Sequence, residues 1–201
     1  MAGDMLYHIK RTMVDIKNDA TGALQKVDIL GTFTDLSKAK AAAKNALFAE
    51  GYEKEWFTEF EVKDGAEWKH PDGTFVYAKA PDGETFTVAL ETTPNTLALM
   101  GDADGKVVEK QLFHVLQTTI HYNVDRSGAN RETSLEGTYT TFEDAKNAAM
   151  GCLLDEDVRK ESFVEYDEYD GQEDWAFGED TMVHAVGVGG ENYLVAIIRK
   201  P

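Results

Sequence analysis

The chain has one cysteine, four prolines and no run of apolar residues near the roughly 20 that cross a bilayer as a helix. The lone Cys152 closes no internal disulfide, which agrees with a reducing compartment. The opening MAGDMLYHIKRTM has neither a basic leader region nor an apolar stretch behind one, so cytoplasmic localisation is the expectation. There is no P-loop, no GxGxxG after a strand, no HExxH, GxSxG or paired CxxC. Those absences remove the common nucleotide-binding and zinc-hydrolase readings, and no cofactor or metal is implied by any motif. Positive charge is scarce as well: 20 Lys and Arg face 37 Asp and Glu, a formal net charge of −17. Such a chain repels phosphate backbones and anionic lipid surfaces, so neither nucleic acid nor membrane is an expected partner.

What is present is the composition of a soluble globular protein, 42% apolar and 28% charged over 201 residues, enough for one large domain or two small ones. An internal repeat organises it. LYHIKRTMVDI and LFHVLQTTIHY share a pattern displaced by 106 positions, and the match continues through Gly31-Thr32 on Gly137-Thr138, Ala39-Lys40 on Ala145-Lys146 and Asp64-Gly65 on Asp170-Gly171. One inserted residue then shifts the register, after which Trp68 falls on Trp175 and Val88-Ala89 on Val195-Ala196. Roughly one position in three is identical over about sixty, which points to a tandem duplication. The expected division is a first repeat at 1–95, a turn-rich linker at 96–110 and a second repeat at 111–201. In the linker, Asp102-Ala103-Asp104-Gly105 has the opening of a calcium loop, but Phe113 stands where the twelfth-position glutamate belongs, and a plain turn is the better account.

Each copy opens with alternating residues, Leu6, His8, Thr12, Val14 and Ile16 in the first and Leu112, His114, Leu116, Thr118 and Ile120 in the second, which predicts strands with one apolar face. DLSKAKAAAKNALFAEG places Leu36, Ala39, Ala43, Ala46 and Leu47 on one helical face and closes on Gly51. In the second copy Phe142, Ala145, Ala149, Cys152 and Leu153 take that face, and Thr140 with Glu143 has capping-box spacing. Cys152 replaces Ala46 and reads as a small core hydrophobe, not a nucleophile. Three strand-like segments follow: WFTEFEV, TFVYAKA and TFTVALE, against SFVEYDEY, TMVHAVG and NYLVAII. The repeat is therefore β-β-α-β-β-β, an α+β unit whose mostly antiparallel sheet is covered by one helix. Two copies with small cores are expected to pack as a pseudo-symmetric pair within a monomer, leaving a cleft where they meet.

Candidate chemistry lies in histidines and carboxylates. His8 and His114 occupy matched positions and are either general bases or metal ligands, or core imidazoles bonded to neighbouring backbone or hydroxyl groups. His121 and His184 stand where the first copy has Asp15 and Tyr77. Glu55 with Glu59, and Glu161 with Glu165, are four apart and would share one side of a strand, as a proton- or metal-sharing pair or as a solvated face. What differs between copies carries more weight than what matches. Glu168 replaces the apolar Val62 and Tyr169 replaces Lys63; if the strand is covered there, desolvation would raise the Glu168 pKa and suit it to acid-base work or ligand binding, and if it frays the carboxylate points to water. Around them, between residues 155 and 180, acids heavily outnumber Arg159 and Lys160, with Tyr166, Tyr169, Trp175 and Phe177 interleaved. Such a patch attracts and stacks on cationic or aromatic groups.

These features are expected of a non-catalytic binding protein that uses the inter-repeat cleft and the acidic, aromatic surface of the second repeat (Tyr166, Glu168, Tyr169, Trp175) for a small ligand or a basic protein surface. The alternative is an acid-base enzyme with Glu168 and one of His114, His121 or His184 as the working pair. A third is an acidic stress or storage protein whose charge serves solubility.

Overall fold

The computed structural model describes residues 3–65 and 67–200. The chain forms two compact units, residues 1–109 and 110–201. In the first, β1 (Met5–Val14) and β2 (Gln25–Phe33) form a hairpin, α1 (Leu36–Lys44) and the short α2 (Ala46–Ala49) follow, and β3 (Glu59–Val62), β4 (Thr74–Lys79) and β5 (Thr85–Pro94) complete the unit. The second repeats the order with β6 (Leu112–Ile120), β7 (Arg131–Tyr139), α3 (Phe142–Gly151), β8 (Glu165–Glu168), β9 (Thr181–Val186) and β10 (Asn192–Lys200). All ladders within the two sheets are antiparallel, in the orders β2-β1-β5-β4-β3 and β7-β6-β10-β9-β8. The fold is α+β in two similar halves.

The likeness extends to irregularities. Leu30 is the extra residue of a bulge opposite Ile9 and Lys10, and Glu136 is the extra residue opposite Val115 and Leu116. A second bulge turns Phe75 in one half and Met182 in the other into the helix-side core. Matching bulges at matching positions are what two copies of one unit would keep.

Helix and sheet meet through small residues. Ala39 and Ala43, fully buried, pack with Ile9, Val76, Phe86 and Val88; Ala145 and Ala149 pack with Phe113, Val115, Val183 and Val195. Alanine lets the helix approach closely, and each large apolar side chain so buried contributes about 1.5–3 kcal/mol. Leu36, expected on this face, lies in the first turn and is exposed. The predicted single helix is interrupted at Asn45, whose amide donates to Ala42 O, a tighter turn that separates α1 from α2. Gly51 follows with φ +98°, the left-handed stop expected of it. In the second half the cap is one residue later than predicted: Thr141, not Thr140, accepts from the Asp144 amide and donates its hydroxyl hydrogen to the Asp144 carboxylate.

The expectation of a single apolar face on the first strand of each repeat is corrected. Tyr7, Ile9 and Met13 join the helix-side core, while Leu6 and His8 on the opposite face are buried too; the same holds for Leu112, His114, Leu116 and Ile120 against Phe113 and Val115. These are central strands of their sheets, and alternation in sequence cannot reveal burial on both sides. The segment after β5 folds back on the first sheet: Asn95 caps the Leu99 amide, Val107 N–H donates to Thr32 O, and residues 102–106 form a turn in which Asp102 Oδ1 accepts the amides of Asp104 and Lys106.

Candidate functional site in the second unit

β8 is an edge strand, and its alternation divides the acidic segment between two faces. Tyr166 packs in the helix-side core, and Glu168 shares its side; Glu165 and Asp167 point to the other. Glu55 and Glu161, expected to share a strand with Glu59 and Glu165, instead lie in single 3-10 turns, Lys54–Trp56 and Lys160–Ser162. The strands begin only where β4 and β9 offer a ladder, so these pairs are not joined on one face.

Across the β8–β9 ladder Asp167 stands opposite His184. His184 is 6% exposed, with Nδ1 2.9 Å from Asp167 Oδ2 and Nε2 2.9 Å from Asn192 Oδ1. The Phe177 ring lies on the imidazole, centroids 3.9 Å apart and 8° from parallel; Trp175 meets Phe177 edge-on at 4.9 Å, and Tyr169 meets Trp175 at 5.7 Å. Trp175 is fixed by its Nε1–H, which donates to Thr181 O at 3.0 Å. The turn between β8 and these rings is held by Gly171 at φ +95°, by Gln172 Oε1 accepting the Asp170 amide, and by Gln172 Nε2 donating to Glu168 O.

Against this row of rings is a recess of about 330 Å³ lined by Tyr166, Asp167, Glu168, Asp174, Trp175 and Phe177. Three of the four binding residues expected from the sequence therefore line one recess, and the fourth, Tyr169, touches it through Trp175. The Glu168 carboxylate, about a third exposed, pairs with Lys160, whose ammonium also lies over the Tyr166 ring. Tyr166 donates its hydroxyl hydrogen to Met150 O, and burial, then the Glu168 charge, pushes its pKa to about 12. It is a fixed donor at neutral pH.

The remaining candidates are dispersed. His114 is buried with Nδ1 2.8 Å from Thr138 Oγ1, and His8 bonds through its two ring nitrogens to Thr32 and Thr93 hydroxyls at 3.0 and 2.7 Å. His121 lies near Glu132 at 3.4 Å on the surface. Among the described residues no histidine bonds to Glu168, and His184 lies on the opposite face of the sheet. Cys152 is held at the end of α3 with its thiol raised to about 12, by burial first and then by Glu136.

The first half carries a counterpart built with different residues. His70, at the position of Phe177, stacks on Tyr77, at the position of His184, with centroids 4.6 Å apart; Trp68 meets His70 edge-on as Trp175 meets Phe177. His70 Nε2 lies 2.7 Å from Glu61 Oε2, the carboxylate that corresponds to Asp167. The imidazole has changed places within the pair of rings and kept its carboxylate. Lys69 Nζ pairs with the other Glu61 oxygen at 2.8 Å, and Lys69 and His70 together hold the Glu61 pKa below its ordinary value. Asp167 and Asn192 were not singled out by sequence reasoning. The signal for Asp167 was its alternation with Glu168, which becomes informative only once the register against His184 is known.

Comparison with protein-family models, with curated protein sequences and with solved structures gave no match.

Proposed function

We propose that the chain is a non-catalytic binding protein whose second unit takes a cationic ligand, a small amine or a basic side chain of a protein partner, in the recess beside β8. The observation that carries this reading is the lining itself: Asp167, Glu168 and Asp174 stand with the rings of Trp175 and Phe177, Lys160 pairs with Glu168 and the His184 imidazole with Asp167. Carboxylates draw a cation in, and an aromatic face adds about 0.5–2 kcal/mol once the cation is partly desolvated. The rings are held by their contacts with Tyr169 and the His184 imidazole and by the Trp175 hydrogen bond, so little order has to be gained on binding. A catalytic role finds less support, because Glu168 is tied to Lys160 and the Tyr166 hydroxyl to a backbone carbonyl.

The test is isothermal titration with spermidine and, separately, with a lysine-rich decapeptide, at low and high salt. Saturable binding that weakens with salt and is reduced about tenfold by Asp174→Asn, with Trp175→Phe also weaker, supports the reading. Absence of binding by both probes, or binding that neither variant changes, overturns it. Preference between the two probes decides between a small ligand and a protein partner.

A further inference from the structure

On the face of β8 away from α3, Glu165, Asp167 and His184 each offer a donor atom, and these atoms lie within 4.8 Å of one another. We propose that they form a site for a first-row divalent cation of the zinc type, a function no motif in the sequence announces. A metal bonded at about 2.0–2.2 Å holds its ligands about 3–4 Å apart, so the exposed Glu165 side chain needs only a small rotation to complete the set. One imidazole and two carboxylates suit zinc and its neighbours better than magnesium or calcium, and open positions remain for water or a ligand atom.

Two further observations point to a cation here. The first is the support of the imidazole. Asn192 Nδ2 donates to Gly190 O, which turns Oδ1 toward His184 Nε2, so Nε2 carries the hydrogen and Nδ1 is the nitrogen facing Asp167. That is the arrangement in which a metal-bound histidine is oriented by an acceptor on its far nitrogen. Nδ1 and Asp167 Oδ2, 2.9 Å apart, are then joined by a proton on Nδ1 or by a metal cation that takes that proton's place.

The second is the first half, where a cation is built in. The equivalents of Glu165, Asp167 and His184 are Glu59, Glu61 and Tyr77, and the Lys69 ammonium bonds to Glu61 within the field of Glu59 and Tyr77. Lys69 corresponds to Ala176. The second half thus keeps the acids, carries its imidazole on β9 where the first half has Tyr77, and loses the lysine that neutralises them, leaving the place to a cation from solution. The site shares Asp167 with the recess but does not rest on recess binding, since Glu165, His184 and Asn192 do not line that recess.

The experiment is calorimetric titration of the whole chain with Zn²⁺, with thermal unfolding as a second readout. The expected result is one equivalent bound with micromolar affinity and a raised Tm. Glu165→Gln and Asp167→Asn should each weaken binding about tenfold or more, and Asn192→Ala about tenfold with the ligands intact. Ala176→Lys should abolish it by restoring the internal cation, while Glu61→Gln in the first half should leave it unchanged. Unchanged affinity in Glu165→Gln and Ala176→Lys, or several weak equivalents indifferent to all these variants, would mean diffuse attraction to surface acids and overturns the proposal. Because Glu165 is outside the recess, loss of Zn²⁺ binding in Glu165→Gln with spermidine binding intact separates the two readings.

Discussion

The Phe177 ring lies flat on the His184 imidazole, and the pair repeats in the first half as His70 on Tyr77 with the two ring types exchanged. In both halves the imidazole meets the same carboxylate position, Asp167 or Glu61. The fold fixes where a ring, a ring and an acid meet at an edge strand; the sequence of each half then decides which residues supply them.

Glu61 is paired with the Lys69 ammonium, and acid should expose that pairing. Lys69 and His70 depress the folded pKa of Glu61, so its contribution to stability is fully present above the ordinary glutamate value of about 4.3 and is lost as pH falls through the lowered folded value. Thermal unfolding followed from pH 7 downward should show Glu61→Gln less stable than wild type at neutral pH, with the two curves converging below pH about 4. Parallel curves over that range would contradict this account of Glu61.

Cys152 should be chemically quiet. With its pKa raised to about 12 by burial, and packed against the second sheet, it is almost wholly in the thiol form at pH 8. Its reaction with a disulfide reagent should be about a hundredfold or more slower in the native protein than in urea. Equal rates would show the thiol to be open and ionised.

The buried histidines should act through stability. Removing the Thr138 hydroxyl takes away the partner of His114 Nδ1 inside the fold, and Thr138→Val is expected to cost about 1–3 kcal/mol in urea denaturation. Spermidine and Zn²⁺ binding by the folded variant should not change. A stability equal to wild type would place the imidazole's principal partner elsewhere.

The repeat offset made the element order and the α+β class legible from residues alone, because Gly, Trp and Ala positions recur and the alanine-rich segment has one period. Burial of both faces of β1 and β6 was not legible, since Leu6, His8 and Lys10 alternate with Tyr7, Ile9 and Arg11 whichever side a helix covers. At the site, the ring-and-acid composition marked Tyr166, Glu168 and Trp175, which line one recess. The weight placed on Glu168 as partner of a histidine was not matched by the geometry, because one step along a strand changes the face: Asp167, its neighbour, meets His184, and Glu168 meets Lys160. Strand register is a tertiary property, and no local pattern in EYDEYDGQEDW encodes it.

The most direct test of recess binding uses the indole resonances of the three tryptophans, Trp56, Trp68 and Trp175, as reporters in one amide correlation spectrum. On titration with spermidine, the Trp175 indole and the amides of residues 166–177 should shift saturably together, while Trp56 and Trp68 stay in place. Shifts spread evenly over acidic surface residues in both halves, or a Trp175 signal that does not move, would contradict the recess as the binding site.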